Sequence, residues 1–236
     1  MEGLYMALVD ELIARGMERG VAALSEYDSK RILAAYGVPV VEEILAAGED
    51  EAVRAGKKLG YPVAVKACGA GLMHKSDVGG VALNLTGGAA VRDAVKRMEA
   101  NVAVPVEGYL VQRMIAGKRE VIVGGTRDRL FGPCVMLGLG GILVEALADV
   151  SFRLAPLEER DALEMLNELR AQRIFDAFRG EPPVDRPALA RALVSVGCIM
   201  ADHPEIAQVD VNPIIFRGAR PVAVDALVTL AKGTPA

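Results

Sequence analysis

From Pro62 to Val81 the chain reads PVAVKACGAGLMHKSDVGGV, which gathers a lysine, a histidine and two pairs of glycines into one short stretch. The apolar run Pro62-Val63-Ala64-Val65 delivers Lys66 to the end of a predicted strand. A strand-end lysine can aim one fixed positive charge at a phosphate. Glycines at Gly69, Gly71, Gly79 and Gly80 let backbone N–H groups approach the same anion closely. Between the glycine pairs stand His74, Lys75, Ser76 and Asp77, and His74 is one of only two histidines in the chain. A neutral imidazole with a pKa near ~6.5 is a competent nucleophile at neutral pH. Each feature alone reads as an ordinary turn or a solvated lysine; together they point to a nucleotide-phosphate site with a reactive loop. The phosphate-binding pattern G-x-x-x-x-G-K-[ST] does not occur.

A second constellation lies near the C-terminus. In VDVNPI, Asp210 and Asn212 are two residues apart and share one side of a strand. Beyond the turn Phe216-Arg217-Gly218-Ala219-Arg220, the run PVAVDAL carries Asp225. A hairpin centred on Gly218 sets Asp225 across from Val211, within one residue of Asn212. Two carboxylates and an amide are hard oxygen donors and suit Mg²⁺ held jointly with nucleotide phosphates. An Asx-turn with two surface acids is the competing reading on spacing alone. Gly138-Leu139-Gly140-Gly141 reads first as a bulge or tight strand exit, Glu145 as a solvated acid, His203 as a helix-end residue and Cys68 as a small packing residue.

These residues need elements to hold them. Leu4, Leu8 and Leu12 predict a helix ending near Gly16 or Gly20. Ser25 caps a second helix with Asp28 at its third position, and Gly37 stops it. Val38 to Ala46 reads as a strand, Glu49 to Leu59 as a helix, then come the Lys66 strand, a strand over Val81 to Thr86, and a helix marked by Val91, Val95 and Met98. This alternation predicts an α/β layer. Gly108 to Ile115 is a strand, and the runs Arg119 to Gly125 and Phe131 to Leu139 turn the pattern towards antiparallel hairpins. Helices over Glu158 to Ala171 and Pro187 to Met200 follow, joined through Gly180-Glu181-Pro182-Pro183. The division expected is an N-terminal helical extension over 1–24, a first subdomain over 25–116 and a second over 117–236.

With 236 residues and 52% hydrophobic side chains, the chain can build a sizeable core. A net charge of -4 without a Lys/Arg run argues against nucleic acid. Leu130 to Val144 is free of charge but too short to span a bilayer, so no membrane role is expected. Cys68, Cys134 and Cys198 show neither disulfide nor metal spacing, which fits a reducing cytoplasm.

The segments PVAVKACGAGLMHKSDVGGV, VMLGLGGILVEAL, DVSFRLAPL and VDVNPI resemble the β subunits of ADP-forming acetyl-CoA (acyl-CoA) synthetases, ATP-grasp proteins of the succinyl-CoA synthetase superfamily. The resemblance runs from about Ser25 to Leu230. It implies two α+β subdomains clasping ATP or ADP with Mg²⁺. It implies Lys66 on the phosphates, Gly69, Gly71, Gly79 and Gly80 in a flexible loop, and Gln112, Arg113, Met114 and Ile115 at the adenine-side hinge. Asn212 and Asp225, with Asp210 close by, resemble the superfamily's Mg²⁺ ligands, and His74 resembles the histidine that carries a phosphoryl group to ADP. It further implies a partner α subunit bearing the CoA site and the principal phosphohistidine, in an α2β2 heterotetramer; this chain has no G-x-G-x-x-G for CoA. A stand-alone ATP-grasp carboxylate ligase and a non-catalytic nucleotide-binding regulatory module are the rival readings.

Overall fold

The computed structural model describes residues 2–72 (side chains from Tyr5), 75–140, 149–177 and 180–231. His74 and Glu145 lie outside the described residues. Two antiparallel sheets organise the chain, each with its own apolar core.

The smaller sheet has the order β1-β4-β2-β3, with β1 Glu43–Ala46, β2 Val63–Cys68, β3 Val81–Leu85 and β4 Gly108–Arg113. Helices α3 (Glu49–Leu59) and α4 (Gly88–Asn101) form the crossovers. The strand–helix alternation reads through, but β4 inserts between β1 and β2, so every hydrogen-bonded neighbour is antiparallel. Helix α3 starts on Glu49, Asp50 and Glu51 and ends on Lys57 and Lys58, matching its dipole. Gly60, at φ +82°, supplies the left-handed stop. All six residues of β2 are buried. Val63, Val65 and Ala67 enter the core under α3 and α4, with Tyr109 and Val111 of β4. By alternation Ala64, Lys66 and Cys68 take the opposite face. The register sets Gln112 between Ala64 and Glu43, so Glu43, Gln112 and Lys66 share that second face.

The larger sheet runs β10-β8-β5-β6-β7, with β9 also paired to β8. Its strands are β5 Glu120–Asp128, β6 Gly132–Leu139, β7 Val150–Leu154, β8 Ile206–Arg217, β9 Arg220–Ala223 and β10 Leu227–Leu230. Helices α5 (Glu159–Glu168) and α6 (Arg186–Asp202) cover one face, where Val121, Val123, Val135, Leu137, Val209 and Val211 are buried. Gly125 admits α6 there, since a Cβ at that position would stand 2.6 Å from Met200 Cγ. The other face carries Gly124, Met136 and Asp210 in register.

Two elements depart from the sequence expectation. Helices α1 (Glu2–Glu18) and α2 (Glu26–Ala35) bury Val9, Leu12, Ile32 and Leu33 in the core of the larger sheet, although α2 precedes the smaller one. The link is backbone pairing: Leu24 N–H donates to Val228 O at 2.9 Å and Leu230 N–H to Ala22 O at 3.0 Å. Residues 38–42 are not an extension of β1. Val41 N–H donates to Ala223 O and Ala223 N–H to Pro39 O, so this stretch runs beside β9 before crossing to the smaller sheet. The sequence division at 116–117 falls between β4 and β5, in the step from one sheet to the other. Among the described residues no helix is long and apolar enough to cross a membrane.

Candidate functional site

A cleft of about 160 Å³ opens where the two sheets meet, lined by Glu26, Leu72, Lys75, Asp210, Asn212 and Asp225 together with Ala226 and Leu227. Asp210 and Asn212 reach it from β8 by their i, i+2 spacing. Asp225 reaches it through a break between β9 and β10. The register of β8 with both strands is continuous, Ile214 opposite Ala223 and Asp210 opposite Leu227, so by count Asp225 stands level with Asn212. The hairpin centre lies between Gly218 and Ala219 rather than on Gly218, which moves the position opposite Asp225 by one residue, from Val211 to Asn212. At the break Val224 keeps one backbone bond, its N–H to Pro213 O at 3.0 Å, and its carbonyl turns to the smaller sheet.

Behind the cleft lies a buried charge cluster. Glu26, at the first turn of α2, is 5% exposed and sits among three ammonium groups. Its Oε1 accepts from Lys30 Nζ at 2.8 Å, Lys66 Nζ at 2.7 Å and Gln112 Nε2 at 2.8 Å, while its Oε2 pairs with Lys75 Nζ. Lys30 also pairs with Glu43, which accepts a second bond from Gln112 at 2.9 Å. Lys66 donates to Val224 O at 3.2 Å and lies 3.3 Å from Asp225. Three lysines thus face Glu26, Glu43 and Asp225, a balanced set.

The electrostatics follow from that arrangement. Burial alone would push the Glu26 carboxyl up, but the charges of Lys66, Lys30 and Lys75 outweigh it and hold the group well below the usual carboxylate range. At Glu43 burial wins over its single lysine, and the carboxyl is raised. Burial opposes charge on Lys75, yet Glu26 and Asp225 raise its ammonium overall. Asp210 is raised by burial and by the neighbouring Asp225, the response of two carboxylates facing one space.

The residues singled out from sequence divide three ways. Asp210, Asn212 and Asp225 line the cleft. Lys66 and Gln112 lie beneath it, reaching it through Glu26 and Val224 O. The others are not among its lining residues. Arg113 spends Nε and Nη2 on Leu59 O at 3.0 and 2.7 Å, and Met114 and Ile115 follow the end of β4. The loop glycines are turn residues: Gly71 and Gly79 take φ +79° and +69°, and a Cβ on Gly69 would stand 3.0 Å from Pro105 O. The N–H groups of Gly71, Gly79 and Gly80 are bonded to Ala23 O, Ser76 O and Lys75 O, within the protein. Cys68 is buried and its thiol is pushed up to about 11, mainly by burial, in keeping with a packing residue. His203 caps α6, its Nε2 2.9 Å from Tyr36 Oη, remote from this cluster in the contacts it makes.

Sequence reasoning missed Glu26, Lys30 and Glu43. An i, i+4 Glu–Lys pair ordinarily reads as a solvated helix face. One signal was present: Glu26, Lys30 and Leu33 follow i, i+4, i+7, and so place both charges on a stripe with a buried leucine.

A family model described as an ATP-grasp domain matches residues 15–230. The chain is similar to the β subunit of ADP-forming acetate–CoA ligase I of Pyrococcus furiosus, 44% identical over 212 residues, 88% of this chain and 91% of that one. It is 39% identical to an ADP-forming 4-hydroxybutyrate–CoA ligase of Nitrosopumilus maritimus over 81% of its own length, but spans only 28% of that longer protein. Among solved structures it resembles an acetyl-coenzyme A synthetase of Candidatus Korarchaeum cryptofilum, with a TM-score of 0.83, 39% identity and coverage of 94% and 100%. That protein was solved with coenzyme A and Mg-AMPPCP, its phosphohistidine segment pointing towards the nucleotide binding site.

Proposed function

The chain belongs to the ATP-grasp family, and we propose that it is the nucleotide-binding β subunit of an ADP-forming acyl-CoA synthetase. The full reaction is acyl-CoA + ADP + phosphate ⇌ carboxylic acid + CoA + ATP. The observation that carries this reading is the cleft between the sheets, where lysine charge and oxygen donors converge in a chain matching a separate ligase β subunit over 91% of that subunit's length.

The obstacle at the nucleotide end is charge, because a phosphoryl group must approach the anionic β-phosphate of ADP. Phosphoryl transfer is met mainly by positioning and electrostatic stabilisation. Lys66 is held in place by Glu26 and Val224 O, which fixes its ammonium without flexible search. Two carboxylates and an amide, Asp225, Asp210 and Asn212, fit Mg²⁺, which commonly takes one or two carboxylates and completes its shell with phosphates and water. Bound there, Mg²⁺ would neutralise charge on the phosphates.

The partner in this reading is an α subunit that binds CoA and carries the principal phosphohistidine, with α2β2 as the assembly. His74 carries the phosphoryl group from that subunit to ADP, and the complex works in the cytoplasm without nucleic acid or membrane. The test is to purify the chain alone and with a co-expressed α subunit. The chain alone should bind ADP and form no acyl-CoA; the pair should make ATP from acyl-CoA, ADP and phosphate. His74→Ala should abolish ATP formation while acid-labile radioactive phosphate still appears on the α subunit. Acyl-CoA formation by the chain alone would establish a stand-alone ligase, and full ATP synthesis by His74→Ala would remove His74 from the route.

A further inference from the structure

Of the three ammonium groups in the cluster, Lys75 alone lines the cleft. Lys30 and Lys66 lie behind Glu26, and each also has Val224 O within reach. Among the described residues the acceptors of Lys75 are side-chain oxygens, Glu26 Oε2 and, at 3.3 Å, Asp225 Oδ1. Both acceptors themselves line the cleft.

The backbone is built to put Lys75 there. Gly80 N–H donates to Lys75 O at 2.7 Å, closing a turn over 75–80. Gly80 O accepts from Ala67 N–H at 2.8 Å, which hooks the turn to β2 one residue beyond Lys66. A Cβ on Gly80 would stand 2.9 Å from Lys75 O, a backbone atom, so only glycine closes the turn this tightly. Lys66 and Lys75 are thereby fixed around a single carboxylate.

The two oxygens of that carboxylate differ. Oε1 takes three donors from Lys30, Lys66 and Gln112 and belongs to the interior. Oε2 takes Lys75. A cation at Asp225 would withdraw one of the two acceptors of Lys75, leaving its charge directed into the cleft and open to another anion. Resting on the nucleotide reading above, we infer that Lys75 is a second phosphate-binding lysine, parked on Glu26 and Asp225 until the terminal phosphates of a nucleoside di- or triphosphate take their place.

The test is calorimetric titration of the full chain with AMP and with ADP, for wild type and Lys75→Gln, alongside thermal melting. Lys75→Gln leaves Glu26 paired with Lys30, Lys66 and Gln112, so the cluster keeps its interior partners. Losing a charge-assisted contact should weaken ADP binding about tenfold or more, with a much smaller loss for AMP. Wild-type ADP affinity in Lys75→Gln would overturn the assignment, as would an equal loss for AMP and ADP with a lowered melting temperature, the mark of a merely structural lysine. A wild-type chain that binds no adenine nucleotide would overturn the nucleotide site itself, and Lys75 with it.

Discussion

Lys30→Met probes the cluster where its electrostatics are simplest. Lys30 is 1% exposed, and methionine keeps most of its aliphatic packing while removing the charge. Glu26 retains Lys66 and Lys75, but among the described residues Glu43 keeps Gln112 alone as a side-chain partner. A buried carboxylate without its cation is costly, and breaking such a pair by removing one partner typically destabilises by about 3–5 kcal/mol. Protonation caps that cost. A carboxyl with an unfolded pKa of about 4.3 can fold neutral at pH 7 for about 3.7 kcal/mol, at about 1.36 kcal/mol per unit. The charge-related loss at pH 7 is therefore about 3–4 kcal/mol, or roughly 6–16 °C in melting temperature for a chain of this size. At pH 5 the same cap falls to about 1 kcal/mol. The sign follows from linkage: Glu43 is already raised by burial, and without Lys30 it binds its proton more tightly folded than unfolded. The deficit relative to wild type should grow as pH rises above the unfolded value and shrink as pH falls towards it. Paired thermal melts of both proteins at pH 5 and pH 7 measure this directly. A deficit independent of pH would refute the account and leave lost packing as the cause.

Two further outcomes are expected. Asp225→Asn should raise the Mg²⁺ concentration needed for ATP synthesis by the complex more than it lowers the melting temperature; a normal Mg²⁺ dependence would make the β9–β10 break purely structural. Arg119→Met should destabilise the chain by about 3–5 kcal/mol, read by denaturant titration, because that buried guanidinium bonds the carbonyls of Ile174, Asp176, Pro182 and Gly218 as well as Glu181; a loss under about 1 kcal/mol would show those carbonyls finding other partners.

What the sequence made legible is what depends on local spacing. The i, i+2 pair Asp210 and Asn212, the Ser25 cap (its Oγ accepting from Asp28 N–H at 3.2 Å) and the antiparallel second half are all set by neighbours along the chain. What escaped depends on packing between distant elements. Val150–Leu154 shows period-two alternation in its letters, yet its apolar residues Val150, Phe152 and Leu154 face outward, so a search for a buried face passes over β7. The strand expected over Val38 to Ala46 splits because Pro39 and Val41 pair with Ala223, 182 positions beyond Val41, which no local pattern encodes. Glu26 and Lys30 resemble any exposed helical ion pair until α2 is laid against the second face of the smaller sheet. Lys66 is legible by its place at a strand end, whereas Lys75 reads from sequence only as a flank of His74 that could draw phosphate, with nothing local to show its pairing with Glu26 and Asp225.

The origin of each charge explains why the cluster sits where it does. Glu26 and Lys30 ride on α2, whose apolar residues belong to the core of the larger sheet, and Asp225 projects from that sheet's own break. Glu43, Lys66 and Gln112 come from the smaller sheet. Separating the sheets along this line would break the ion pairs of Glu43 with Lys30 and of Lys66 with Glu26, both buried where the two sheets meet. The back of the cleft is therefore pinned by interactions that lie away from water and resist salt screening. At the front, Asn212 is exposed, and of the three lysines Lys75 is the one that lines the opening, paired with Glu26 and Asp225. An anion entering from that side meets one exchangeable lysine before it meets the fixed one, which makes Lys75 the residue through which the cleft can accept a phosphate without the interior cluster coming apart.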